Sequence, residues 1–186
     1  MDLREAVRLI RSGVDAESVV WADIGAGTGM FTQALAQLLN RSSGENRESG
    51  QGRIYAVDKS PHALWDIRAE GGIEIVVVEA DFNGPLELPP LDGIVMANAL
   101  HYAEDQLAVL KNVLECLKAD GTLILVEYET EKARPPWVPH PVPFNMFESL
   151  CAQSGLSKPE IIGSAPSRYG YERIYAAVSK KLGVRS

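Results

Sequence analysis

The chain has 186 residues, 46% of them apolar and 23% charged, with a formal net charge of −7 and a pI near 5.0. That length supports one well-buried core and is short for two, and the composition is that of an ordinary globular protein. The acidic balance disfavours a grip on nucleic acid, which needs a basic stripe for the phosphates; the only basic concentration is the tail at Lys180, Lys181 and Arg185.

Met1 to Arg11 places Leu3, Val7 and Ile10 at helical spacing, so residues 1–17 are expected to hold a short amphipathic helix. No apolar run approaches a membrane span and the first residues lack a signal-peptide core, so a cytoplasmic location is expected. Ser18–Ile24 (SVVWADI) reads as a buried strand and Met30–Leu39 as a helix. The polar stretch 41–52 (RSSGENRESGQG) has no periodicity and reads as a mobile surface loop. Arg53–Asp58 is a second strand, and Ser60–Glu70 is predicted as a helix with Ser60 as N-cap and Pro61 in its first turn. Further strands are expected at Ile73–Glu79, Asp92–Ala97 and Gly121–Glu129, the last preceded by a helix over Glu104–Leu117. Arg134–Pro143 carries five prolines in ten residues and cannot be regular structure. A helix from Phe144 to Gln153 follows, then two short strands near Pro159–Ser164 and Glu172–Lys180 that should pair antiparallel. Cys116 and Cys151 sit in apolar helical patterns, with no spacing that suggests a metal site.

Alternating strands and helices with continuously apolar strands predict an α/β fold: a parallel, doubly wound sheet covered on both faces, closed by an antiparallel C-terminal hairpin. In such sheets ligands bind beyond the carboxyl ends of the strands, where the strand order reverses. The strand ends are therefore the places to search.

The first strand ends Asp23-Ile24-Gly25-Ala26-Gly27-Thr28-Gly29. A dinucleotide fingerprint would put its third glycine on Met30, so the spacing is one residue early. Asp23, read as standing at the mouth of this turn, would repel a pyrophosphate and favour a ligand carrying ammonium and sulfonium groups, as S-adenosylmethionine does. At the end of the second strand, Asp58 (followed by Lys59) suits the two hydroxyls of a ribose. After the third, Asp81 suits the adenine amine while Phe82 packs on the ring. After the fourth comes Asn98-Ala99-Leu100-His101-Tyr102, where His101 is a candidate base or a packed side chain. Tyr102 and Tyr128 are candidate orienting groups. The segment 130–143 is read as an acceptor lid stiffened by proline, with Trp137, His140 and Phe144 as its distinctive side chains.

The series VVWADIGAGTG, YAVDKS, EADF, ANALHY and LKADGTLILVE resembles the class I S-adenosylmethionine-dependent methyltransferases, in the style of the small-molecule group that includes quinone-biosynthesis enzymes. The resemblance implies a Rossmann-like seven-stranded sheet of order 3-2-1-4-5-7-6 with the seventh strand antiparallel, in one domain over residues 1–186. It implies that Asp23, Gly25, Ala26 and Gly27 hold the methionine part of S-adenosylmethionine, that Asp58 and Lys59 lie at the ribose, Asp81 and Phe82 at the adenine, and that Asn98 lines the floor. S-adenosylhomocysteine would be the product, a small molecule the acceptor, and no metal is implied. An NAD(P)-dependent oxidoreductase and a non-catalytic S-adenosylmethionine-binding partner protein remain the alternatives.

Overall fold

A computed structural model describes residues 1–15, 19–42, 52–68, 72–167 and 173–183. Seven strands form one sheet of order β3-β2-β1-β4-β5-β7-β6. They are β1 (Val20–Ile24), β2 (Gly52–Asp58), β3 (Ile73–Glu79), β4 (Leu91–Ala97), β5 (Leu117–Tyr128), β6 (Glu160–Pro166) and β7 (Arg173–Lys180). β1 pairs in parallel with both β2 and β4, so the chain reverses its winding direction at β1. β7 is antiparallel to β5 and to β6, the edge strand. The sheet order and the C-terminal hairpin agree with expectation.

Among the described residues, four α-helices accompany the sheet: α1 (Leu3–Ile10), α2 (Met30–Ser42), α3 (Gln106–Glu115) and α4 (Phe144–Ser154). α1 starts with a reciprocal cap, Asp2 accepting from the Glu5 N–H while Glu5 accepts from the Asp2 N–H, which satisfies two donors that a helix start leaves open. α4 stops at Gly155, left-handed at φ 80°, as a C-terminal glycine allows. The two faces of the sheet carry separate cores. One gathers α3 and α4 through Leu110, Val113, Phe147 and Leu150, and the other gathers α1 and α2 through Ile10, Leu35 and Leu39. Trp21 lies in the second, fully buried, flat against Gly93 on β4. A Cβ at Gly93 would stand 2.5 Å from the indole, so the strand pair tolerates only glycine there.

Three expectations need correction. Ser60–Glu70 is not a helix over its described part: only a 3₁₀ turn forms at Pro61–Leu64, and the Ser60 side chain caps nothing. The apolar residues Leu64 and Ile67 are three apart, the eclipsed register of that turn, and both pack beneath Gly29. β5 starts four residues early, because Leu117 already pairs with Leu91 across a bulge, and Asp120 takes a left-handed φ of 61° before Gly121. α3 is shorter than expected at both ends, with Asp105 accepting from the Ala108 N–H as its cap. Of the expected loop at 41–52, residues 41–42 instead close α2 and Gly52 opens β2, and residues 43–51 lie outside the described residues. Both cysteines are buried and free.

Candidate functional site

The loop between β1 and α2 carries three glycines with positive φ: Gly25 at 75°, Gly27 at 56° and Gly29 at 76°. Each meets a different environment. A Cβ on Gly25 would stand 2.6 Å from that of Ala99, and one on Gly29 would collide with Ile67, so these two let the loop pack onto its neighbours. A Cβ on Gly27 would meet nothing within 4 Å. Gly27 is open, and its N–H donates 2.8 Å to Asp58 Oδ2.

This loop forms one wall of a cleft of about 570 Å³ at the carboxyl ends of the strands, within the roughly 300–1,000 Å³ usual for small-ligand sites. Of the residues expected at a cofactor, Gly25, Ala26, Gly27, Asp58, Lys59, Asp81, Phe82 and Asn98 all line it, as do Tyr102 and Tyr128. Asp58 Oδ1 accepts from the Ser60 N–H at 2.8 Å. Since a carboxylate has about four acceptor sites, two remain for a ligand. Asp81 Oδ1 accepts from the Asn83 N–H at 2.9 Å and from Asn83 Nδ2 at 2.7 Å. Those bonds hold its carboxyl below the usual range. Asn98 has a left-handed φ of 50°, and its Oδ1 is buried with no hydrogen-bond partner among the described residues.

Asp23 is elsewhere. It does not stand at the mouth of the cleft but behind the loop, 1% exposed, with Oδ2 accepting 2.7 Å from Thr32 Oγ1 on α2. Burial pushes its carboxyl up to about 6, against the lowering effect of the Thr32 bonds, and the Asp58 charge adds to the rise. The reason lies in the strand: β1 is central and buried on both faces, so Asp23 has no solvent side, and α2 brings Thr32 over it.

His101 takes one of its two expected places, that of a packed side chain. It is 2% exposed and does not line the cleft. Its Nδ1 lies 2.7 Å from Glu127 Oε2, and its backbone N–H donates 3.2 Å to Glu127 Oε1. Glu127 is fully buried, whereas acids at a strand end are usually solvated. The pair is internal: Glu127 clamps the turn after β4 onto β5, and His101 Nε2 has no partner among the described residues.

The proline-rich segment does not cover the cleft. Trp137 is 74% exposed, His140 is exposed, and Phe144 packs edge-on against Tyr175 at 5.7 Å; none of the three lines the cleft. The segment is tied down instead, since the His140 N–H donates to the His101 carbonyl and Gln106 Nε2 donates to the His140 carbonyl. Met1, Met30, Phe31, Pro166 and Ile174 also line the cleft and escaped the sequence reading. Met30 and Phe31 directly follow the glycine loop and carried a signal. Pro166 and Ile174 come from strands far along the chain and carried none.

A family model described as a methyltransferase domain matches residues 22–123, more than half of the chain. The chain belongs to this family, and its sheet is that of the class I S-adenosylmethionine-dependent methyltransferases. Solved structures share the fold at low identity. An S-adenosylmethionine-dependent methyltransferase from Aquifex aeolicus is 16% identical with a TM-score of 0.70, the match covering 96% of this chain and 90% of that one. A 1,6-didemethyltoxoflavin N1-methyltransferase from Burkholderia thailandensis, solved with 1,6-didemethyltoxoflavin and S-adenosylhomocysteine, is 15% identical with a TM-score of 0.71, covering 97% and 78%. The mitomycin 7-O-methyltransferase MmcR is 20% identical with a TM-score of 0.64, covering 96% and 53%, so the chain spans about half its length. No curated protein matches the chain in sequence.

Proposed function

We propose that the chain transfers the methyl group of S-adenosylmethionine to a small-molecule acceptor. The observation that carries this reading is the open glycine loop beside Asp58 at the sheet's reversal point, where a ligand can approach backbone and carboxylate together. The residues present fit that cofactor. The unpartnered Asn98 Oδ1 suits an ammonium donor, the free acceptor sites of Asp58 suit ribose hydroxyls, and Asp81 beside Phe82 suits adenine. The start of α2 leaves backbone N–H groups for a carboxylate. When bound, S-adenosylmethionine supplies an electrophilic sulfonium methyl, which a nucleophile takes in one in-line displacement. The chain's contribution is to fix the two partners in line and exclude water, and positioning alone can supply much of the rate. His101 does not touch the cleft, so its role is to hold the floor rather than to take a proton from the acceptor.

The net charge of −7 supports a small acceptor over nucleic acid. No described helix is long and apolar enough to cross a membrane, and two buried free thiols support the cytoplasm as the setting. The test is calorimetric titration with S-adenosylmethionine, S-adenosylhomocysteine and NADH. Binding of the first two, weakened at least tenfold in Asp58→Ala, is the expected result. Binding of NADH alone would overturn it in favour of an oxidoreductase.

A further inference from the structure

Between β3 and β4, residues 80–90 form neither helix nor strand. The turn at residues 81–84 opens this stretch and carries Asp81, Phe82 and Asn83 into the lining of the cleft. Its internal bonds are local: Asp81 Oδ1 accepts from Asn83, and the Gly84 N–H donates 3.0 Å to the Asp81 carbonyl. They shape the turn without fixing it to the body of the protein. That attachment comes from Asn112 on α3. Its Nδ2 donates 3.2 Å to the Phe82 carbonyl and donates also to the Gly84 carbonyl. An amide NH₂ has two hydrogens, so one side chain serves both acceptors, and the flipped amide would set its oxygen against two carbonyl oxygens. Among the described residues, no other side chain from outside the turn bonds to its backbone. Asn112 itself does not line the cleft. It is partly buried in the middle of α3, where asparagine is a poorer helix former than alanine or leucine, so its place there serves the contact and not the helix.

We propose that Asn112 is a positioning residue for the base: by holding the turn 81–84 against α3, it sets Asp81 and Phe82 where they select an adenine ring. The inference rests on the methyl-transfer reading and extends it to a residue that touches no ligand. Two observations take it beyond a stabilising contact. Phe82 is fixed from both sides, since a Cβ on Gly25 would stand 3.3 Å from Phe82 Cε1 while α3 holds the Phe82 carbonyl. Asp81 commits Oδ1 to Asn83, and among the described residues its Oδ2 accepts no hydrogen bond. An adenine amine can donate to that oxygen, whereas hypoxanthine presents a carbonyl oxygen in the same place and meets a like acceptor. Hydrogen bonds tolerate only a few tenths of an ångström, so a turn that drifts loses the choice of base before it loses the ligand.

The test titrates the full chain calorimetrically with S-adenosylhomocysteine and with S-inosylhomocysteine, its hypoxanthine counterpart, and records melting temperatures alongside. The parent should prefer the adenine ligand by about tenfold or more, since one hydrogen bond is exchanged for an unpaired acceptor. In Asn112→Ala, S-adenosylhomocysteine should weaken about fivefold or more while S-inosylhomocysteine stays within about twofold, so the preference is largely lost. Asn112→Asp keeps the volume but sets a carboxylate against the two carbonyls, and should lose the preference as well. A purely structural role would lower the melting temperature and weaken both ligands alike. Failure of S-adenosylhomocysteine to bind the parent would overturn the methyl-transfer reading and this inference with it. With S-adenosylhomocysteine bound, equal affinity of the parent for the two ligands would overturn this inference alone. So would survival of the parent's preference in either variant.

Discussion

The buried carboxyl of Asp23 makes a stability prediction whose sign and size follow from its surroundings. Its ordinary value of 3.8 is raised to about 6, chiefly by desolvation. Below 3.8 the group is protonated in both folded and unfolded chains and contributes nothing. As the pH rises, the unfolded chain releases the proton first, so the folded state loses stability relative to it; above about 6 both are charged and the loss is complete. A shift of roughly two units corresponds to about 3 kcal/mol. In Asp23→Asn this titration is removed while an oxygen remains to accept from Thr32. The amide also brings a buried NH₂ that costs about 1–3 kcal/mol if it finds no acceptor, a constant offset at all pH values. The observable is therefore the difference between variant and parent. It should move in favour of the variant by about 2 kcal/mol between pH 4.5 and 7.5, or about 4–8 °C in melting temperature for a chain of this size. Thermal and urea unfolding across that range measure it. A difference that stays flat with pH, or moves in favour of the parent, would refute the assignment of a buried, desolvated carboxylate at this position.

The glycines of the loop separate folding from binding. Gly27→Ala meets no atom, so it should cost only the left-handed strain of about 1 kcal/mol yet weaken S-adenosylhomocysteine at least tenfold by calorimetry. Gly25→Ala adds a collision with Ala99 to the same strain and should lower the melting temperature distinctly more. Equal melting temperatures for the two variants would contradict this. Glu127→Ala strands the His101 N–H and Nδ1 in the interior and should cost about 3 kcal/mol. Glu127→Gln keeps one acceptor and should recover part of that loss in urea unfolding. A Glu127→Ala chain within about 0.5 kcal/mol of the parent would show that the clamp is dispensable.

The half of the cleft proposed for the cofactor is written locally. Gly25, Gly27, Asp58, Asp81 and Asn98 all line the cleft and each stands at or just after a strand end, so placing the strand ends places them. What the sequence concealed was depth. Asp23 lies two residues before the first glycine, but both faces of β1 are buried and Thr32 of α2 closes over it. Glu127 shows the same effect: near a strand end, yet inward and without access to solvent. Ser60–Glu70 failed for a different reason, since Leu64 and Ile67 fit a 3₁₀ turn as well as a helix and only their contact with Gly29 decides.

The rest of the cleft resisted because no local stretch encodes it. Tyr102 and Tyr128 come from the ends of neighbouring strands, Met30 and Phe31 from the start of α2, and Pro166 and Ile174 from the antiparallel hairpin. They meet only because β7 inserts between β5 and β6 and brings the end of one strand and the start of the next to the cleft's rim. The proline-rich segment attracted attention as a lid because its composition is unusual, but its backbone is spent on His101 and Gln106. Composition identified a stiff segment without saying what it stiffens. Here it braces the turn that carries His101 and Tyr102, so its effect on the acceptor passes through the cleft wall rather than through a cover. Changes at Trp137, 74% exposed and clear of the cleft, should accordingly leave cofactor affinity within twofold, whereas loss of the Gln106 contact in Gln106→Ala should reach acceptor binding through Tyr102.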